Sequence, residues 1–476
     1  MSPRETTFLP EEIELIHQAT LELFAETGVQ FPNTRTLEIF RDHGFRVEGE
    51  RVHITPEQLD KALSTCPDKI AVRARNPGND LLLGGDDFVL GPSCGNIQIL
   101  DAAGGYRPCS LEDYDRLAKL VQTSPLKMFS GGICYPREVP GELAHLHMVY
   151  RDLVLTDRAA MCNVASRQNA LDSLKYLEIV FGGREEVRKS PCSISVINPF
   201  SPLKYADDQS AAIEILAAEN QPLVVTNMVM TGATAPITVA GALAVGNAEI
   251  LAGVVLAQLV RPGVGVVYGT TSCPMDMKSM VATLGTPETI WLARGALALA
   301  GRYNLPSRVG GSLTDSHAVD AQALMDGALI MSHTLRDGAN FVFHAFGMVG
   351  GYLAVSLEKF VLDEELARLV MASMVRPEIS EKTLELPVVK ELGPGGDYLT
   401  HPSTLRKFRK LFRPSFLNRS SYEAWTAKGS PDALVQAAAE VEKRVASWEK
   451  PPLDPGIEDE LRAYALSRGA EIKIGA

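Results

Sequence analysis

The sequence predicts an α/β protein built as a (β/α)8 TIM barrel, with an N-terminal helical cap and a C-terminal helical extension. Three observations predict it. Eight short apolar stretches recur along the chain: FVLGPSCG, MFSGGICYP, RAAMCNVAS, SISVINP, LVVTNMV, VGVVYGTTS, SRVGGSLTDS and NFVFHAFGMVGG. Most end in a polar or glycine-rich tip, and between most of them lies a segment long enough for one helix. A strand followed by a helix, repeated about eight times, is the signature of a barrel that carries its chemistry at the C-terminal ends of its strands.

Residues 1–80 read as a mainly helical segment. Ile13, Ile16, Leu23 and Phe24 recur near helical spacing, and Gly28 is a stop. Thr55-Pro56-Glu57-Gln58 opens another helix: Thr55 caps, Pro56 suits the first turn, and Gln58 closes a capping box. The barrel is expected over 81–375, with its first strand near 88–94. A hairpin follows, turning through Asp101-Ala102-Ala103-Gly104-Gly105 between IQIL and YRPC, and Ser110 with Asp113 then starts a helix. Later helices are expected near 140–155, 168–183, 206–219, 236–260, 284–303, 318–337 and 353–374. The helix over 236–260 is almost uncharged and should be buried on most faces. Its only acid, Glu249, then needs a partner. Residues 376–476 change character: PVVKELGPGGDYLTHPSTL is loop-like, LRKFRKLFRP is basic, and 431–448 and 456–469 read as helices.

Composition narrows the function. With 46% hydrophobic and 22% charged residues the chain is an ordinary globular one, and no apolar run is expected to reach the length of a bilayer. A net charge of −12 argues against nucleic-acid binding, which needs a basic surface. The N-terminus lacks the basic-then-apolar order of a signal peptide, so a cytoplasmic location is expected. The seven cysteines are odd in number and form no C-x-x-C pair, which is thiol usage and not a disulfide framework. The chain has no G-x-G-x-x-G after a strand, no P-loop, no H-E-x-x-H and no G-x-S-x-G. His145 and His147 diverge on an outer helix, and no metal site is expected. The apolar content permits self-association into a homo-oligomer.

The runs TGATAPITVAGALAVGNAEILAGVVLAQLVRPGVGVVYG, GGSLTDSHAVDAQA and FLNRSSYEAWTAKG, with the hairpin LDAAGGYRPCSLEDY, resemble the trimethylamine methyltransferase family over nearly the whole chain. That resemblance implies a TIM-barrel enzyme that moves a methyl group from a methylated amine to the Co(I) of a corrinoid carried on a separate small protein. No tightly bound cofactor is implied; the corrinoid is a co-substrate brought by the partner. One branch of the family carries pyrrolysine in the barrel, whose neighbourhood here is the loop Thr314-Asp315-Ser316-His317. This chain has only the standard residues and so resembles the other branch, which acts on quaternary amines such as glycine betaine. A quaternary ammonium already has a neutral amine as leaving group, so positioning and desolvation matter more than acid catalysis. Proline betaine, carnitine or choline as donor, or a betaine-binding barrel without turnover, are the alternatives. Asp397 stands where relatives often have His, which leaves the roles of the C-terminal region open.

Aromatic faces recognise a quaternary ammonium, and a betaine carboxylate wants Arg, His or amide donors. Strand ends offer both: Tyr268, His344 and Phe346, and the amides Asn163, Asn198 and Asn227. His344 and Phe346 should share a face by two-residue alternation. Arg308 begins a strand and is expected at the opposite end of the barrel. No residue is assigned as a catalytic acid, base or nucleophile. Gly310, Gly311, Asp315, Ser316, His317 and Gly347 are expected to face the corrinoid, and Met275 and Met277 to line the same mouth. The cluster Arg406, Lys407, Arg409, Lys410 and Arg413 is either a solvated helix face or a docking patch for the corrinoid protein.

Overall fold

All eight apolar stretches become parallel strands of one closed sheet. The computed structural model describes residues 8–101 and 104–473, so Ala102 and Ala103 of the expected turn and the first residues of the chain lie outside the described residues. The strands are β1 (Val89–Pro92), β2 (Phe129–Ser130), β3 (Ala159–Met161), β4 (Ser193–Ile197), β5 (Leu223–Asn227), β6 (Val266–Thr270), β7 (Ser307–Gly310) and β8 (Phe341–Phe346). Each pairs in parallel with the next, and β8 pairs with β1. A bridge between Leu90 and Met128 closes the ring from β1 to β2. The helices between and after them are α1 (Leu111–Thr123), α2 (Gly141–Leu155), α3 (Arg167–Phe181), α4 (Asp207–Ala218), α5 (Val239–Val260), α6 (Pro287–Arg302), α7 (Ala321–Arg336) and α8 (Leu357–Met374). The expected capping signals form: Ser110 Oγ accepts from Asp113 N at 3.1 Å, and Thr55 Oγ1 from Gln58 N at 3.3 Å.

Alternation along the strands decides what fills the barrel. Val224, Val267, Ile194, Ala159 and Phe341 point inward. Phe129 and Phe341 stack inside with ring centroids 4.6 Å apart. Gly91 makes room for that stack, since a Cβ there would lie 2.0 Å from the Phe129 ring. The alternate residues face the helices, Tyr268 of β6 and Val225 of β5 among them.

Two expectations are corrected. The N-terminal segment is mainly helical but not helical throughout. Besides Pro10–Glu22, Thr34–Asp42 and Pro56–Leu63, it holds a three-stranded antiparallel sheet of Val29–Gln30, Arg46–Glu48 and Arg51–His53. A further hairpin, Ile70–Val72 with Leu81–Leu83, spans the expected boundary at residue 80. Its Ile70, Val72, Leu81 and Leu83 join the inward residues of the barrel and plug its N-terminal end. These strands are too short to show a period in sequence and owe their order to docking. Secondly, α5 is long and apolar enough to cross a bilayer, with a mean hydropathy of 1.9. It is instead a core helix, 83% of that stretch being buried inside the protein. Glu249 on α5 accepts from Ser201 Oγ, Leu203 N and Asn227 Nδ2, and so ties the loop after β4 to the end of β5.

Beyond the barrel, Ala433–Ala446 packs on α1 and α8, where Arg444 pairs with Glu364. Pro455–Ser467 docks on α3, where Tyr464 and Arg468 both reach Asp172. The stretch between, 376–432, contains only short helices, and Ser403 is its one buried residue.

Candidate functional site

A cavity of about 480 Å³ opens at the C-terminal ends of β1, β2, β3, β4 and β8. Cys94, Tyr135, Met161, Asn163, Asn198, Phe343 and His344 line it. Three of the expected site residues, His344, Asn163 and Asn198, therefore surround one space. Asn163 donates to the Tyr135 hydroxyl at 2.8 Å, and its Oδ1 accepts from Ala165 N and Asn169 Nδ2, which fixes the amide.

His344 sits in a left-handed backbone conformation, φ 52°, uncommon for a residue with a Cβ. Its carbonyl accepts from Ser312 N at 3.0 Å. Its Nδ1 accepts from Cys94 N at 3.3 Å, so the neutral ring carries its proton on Nε2. Burial, helped by the Arg308 charge, holds its pKa well below the usual histidine value, so the ring is neutral near pH 7. The ring meets Tyr352 edge-on with centroids 4.9 Å apart. Tyr352 is itself left-handed, φ 72°, and its hydroxyl meets that of Thr271. Two touching aromatic residues in left-handed backbone make this the candidate site, since such strain persists only where the surroundings impose it.

Arg308 is placed contrary to expectation. It points inward from β7 and is 1% exposed. Because β7 has only four residues, the long side chain reaches the C-terminal end of its neighbour, where Nη1 donates to Thr270 O at 2.6 Å. Gly269 leaves it room, as a Cβ there would lie 2.9 Å from the Arg308 Cβ. The guanidinium lies 5.2 Å from the centroid of Phe343, which lines the cavity. Arg308 makes no ion pair among the described residues, and its Nε has no hydrogen-bond partner there. Burial lowers its pKa to about 10, so it remains a cation at neutral pH. Burial also raises the Cys94 and Cys162 thiols to about 12, which makes both neutral.

Three expected site residues face away from the cavity. Tyr268 donates to Asn247 Oδ1 on α5 at 2.9 Å, because Val267 and Gly269 take the inward positions on either side of it. Asn227 faces the same helix and donates to Glu249. Phe346 is fully buried against Phe360 of α8. The left-handed turn at His344 and an irregular register between Val342 and Phe346 break the two-residue alternation that would have put Phe346 beside it. Phe343 takes the inward place. Sequence reasoning missed Phe343, Tyr352 and Tyr135; the inward alternation from Phe341 was the signal for the first.

The six residues expected to face the corrinoid do not form one surface. A Cβ on Gly311 would lie 2.5 Å from Ala345 Cα, and one on Gly347 2.9 Å from Val355, so both glycines serve close packing, and Gly310 is buried with them. Asp315 accepts from Leu284 N and Gly285 N. Ser316 donates to Asp320. His317 alone of the six is exposed, beside the Tyr106 hydroxyl. Behind them a buried pair holds the ends of β7 and β8 together. Lys359 Nζ reaches Asp363 at 2.7 Å and Ser312 Oγ at 2.9 Å, while Asp363 accepts from Gly347 N at 2.8 Å and from Ser312 Oγ at 2.7 Å.

No group of three or more His, Cys, Asp or Glu residues that could hold a metal ion is found among the described residues. His145 pairs with Asp172 at 2.8 Å on the outside of the barrel.

The comparisons with known proteins agree with this architecture. A family model described as trimethylamine methyltransferase (MTTB) matches residues 2–473. The chain is 34% identical over 472 residues to a glycine betaine methyltransferase of Desulfitobacterium hafniense (strain Y51), covering 99% of this chain and 98% of that protein. It is 30% identical to a proline betaine:corrinoid methyltransferase of Eubacterium limosum, covering 95% and 96%. The crystal structure of the Methanosarcina barkeri monomethylamine methyltransferase (MtmB) shares the fold at a TM-score of 0.56 and 12% identity, over 92% of this chain and 88% of that one.

Proposed function

We propose, for a chain that belongs to the trimethylamine methyltransferase family, that the methyl donor is a carboxylate-bearing quaternary amine, most simply glycine betaine. The chain is a methyltransferase whose acceptor is a corrinoid. In the proposed reaction one N–CH3 bond breaks, the electron pair stays on nitrogen, and dimethylglycine leaves. The Co(I) of a corrinoid on a separate protein takes the methyl group and becomes methyl-Co(III). No proton is required, which suits a site whose histidine is neutral and whose thiols are not ionised.

One observation carries the substrate class: Arg308 is a buried cation with no carboxylate partner among the described residues, beside the cavity. A zwitterion satisfies it. The carboxylate takes the guanidinium, with His344 Nε2–H as a second donor. The trimethylammonium then lies among the faces of Phe343, Tyr352 and Tyr135, each good contact contributing about 0.5–2 kcal/mol. Choline and trimethylamine bring a positive charge and no carboxylate, so Arg308 disfavours both.

The test is anaerobic. Purified protein is mixed with chemically reduced free cobalamin and a panel of methylated amines, and the conversion of Co(I) to methyl-Co(III) is followed by visible absorbance. Methylation from glycine betaine and not from choline or trimethylamine is expected. Turnover with proline betaine or carnitine alone would keep Arg308 in its role and change the donor. Equal turnover with choline would overturn the role of Arg308.

A further inference from the structure

We infer that Asn96 is a positioning residue for the cavity. It sets the separation of two tyrosine rings, Tyr135 and Tyr352, and through it the preference for a quaternary ammonium. The inference rests on the proposed reading of the cavity as the site of that group. Asn96 stands just past the end of β1 and is fully buried. It does not line the cavity itself.

Three loops, at the C-terminal ends of the neighbouring strands β8, β1 and β2, meet at this residue. Its carbonyl accepts from Tyr135 N at 2.8 Å, in the loop after β2. Its Nδ2 donates to the Tyr352 carbonyl at 3.0 Å, in the loop after β8. Its Oδ1 accepts from Ser93 Oγ at 2.5 Å, and Ser93 N donates to Phe346 O at 2.9 Å. A carbonyl only accepts, so Nδ2 must face Tyr352 and Oδ1 must face Ser93. Each tyrosine is then held at both ends. The Tyr135 hydroxyl accepts from Asn163, and the Tyr352 hydroxyl meets that of Thr271 beyond β6. Asn96 fixes the backbone end of both, one through its main chain and the other through its side chain.

The left-handed backbone of Tyr352, φ 72°, gives the side-chain contact its weight. Gly350 N donates to Ser316 O at 2.8 Å and Gly351 N to Thr314 O at 3.1 Å, which ties the preceding glycines to the loop after β7. The carbonyl of Tyr352 is tied to the opposite side by Asn96. Without that donor the residue relaxes toward ordinary backbone and its ring moves. A primary amide suits the position because it presents a donor and an acceptor in one plane, and both are used. Cation–π attraction acts only within about 6 Å of a ring centroid and over its face, so a displaced ring loses it. Apolar contact is non-directional and survives the same displacement.

The experiment is titration calorimetry of the full chain with two ligands of one shape. One is glycine betaine; the other is 3,3-dimethylbutyrate, in which carbon replaces the ammonium nitrogen. Both offer the same carboxylate to Arg308. Wild type is expected to bind betaine at least about 10-fold tighter than the isostere. Asn96→Leu keeps the bulk and the main-chain bond to Tyr135 and removes the donor to Tyr352. It should lower betaine affinity at least about 10-fold and leave the isostere within about 2-fold. Ser93→Ala leaves the Asn96 amide without the partner that orients it and should show the same selective loss in smaller measure, about 3-fold. That milder variant decides the matter if Asn96→Leu does not fold. A loss shared equally by the two ligands, or no loss in either variant, overturns the proposal and makes Asn96 a structural residue only. A wild type that does not distinguish the two ligands overturns it too, and with it the quaternary-ammonium reading of the cavity.

Discussion

At the scale of single residues, two side chains carry the proposed reading of the site. Arg308→Met removes the only charge proposed to hold the substrate carboxylate. Its kcat/KM for glycine betaine should fall at least about 100-fold, near 3 kcal/mol, mostly through KM. The same change removes a buried unpaired cation, so the thermal midpoint should hold or rise. A variant that loses stability and keeps betaine turnover would make Arg308 a structural residue. His344→Ala should weaken betaine use strongly without unfolding the protein, and normal turnover would misplace the site. His344→Gly tests the strain. At φ 52° glycine avoids a cost of about 1 kcal/mol, so it should melt above His344→Ala while being equally poor in turnover.

At the scale of elements, the ends of β7 and β8 depend on α8. Lys359 and Asp363 are both fully buried, and between them they hold Ser312 and the Gly347 amide. Lys359→Met leaves the Asp363 carboxyl without its cation and should cost about 3–5 kcal/mol. The double change Lys359→Met/Asp363→Leu should cost less than the sum of its parts. Denaturant unfolding of the three variants checks this, and additive losses would show that the two residues do not act as a pair. On β6, Gly269→Ala puts a methyl against Arg308 and Thr226. It should lower betaine affinity more than it lowers the thermal midpoint, because the side chain it displaces is the proposed carboxylate ligand.

At the scale of the whole molecule, two buried carboxyls make stability depend on pH. Burial raises Asp152, held by Tyr114 and Ser130, to about 7, and Glu249 likewise to about 7. In the unfolded chain they titrate near 3.9 and 4.3. Folding therefore favours their protonated forms. That contribution is full below the unfolded values and is lost as pH rises through about 7. Unfolding free energy should thus decline between about pH 4.5 and 7 and level off above about pH 8, each group adding a slope of at most about 1.4 kcal/mol per pH unit. Asp152→Asn with Glu249→Gln should flatten that slope, and a slope left unchanged would assign the dependence elsewhere.

The barrel was legible in sequence because each strand is a short apolar run with its own stop and each helix has its own cap. Ser110, Thr55 and the eight strand ends are local signals, and local chemistry settles local structure. His344, Asn163 and Asn198 were legible for the same reason, as polar residues at strand ends. What lies inside the barrel was decided only by the tertiary structure. A one-residue step exchanges inside for outside, so Tyr268 and Asn227 went to the helices, while a left-handed turn at His344 sent Phe346 the same way. Arg308 begins its strand, yet its side chain reaches the far end, because a four-residue strand is shorter than that reach and the neighbouring Gly269 leaves the path open. Sequence set the frame through patterns of a few residues. The site formed where distant strands converge, and no pattern along the chain encodes that distance.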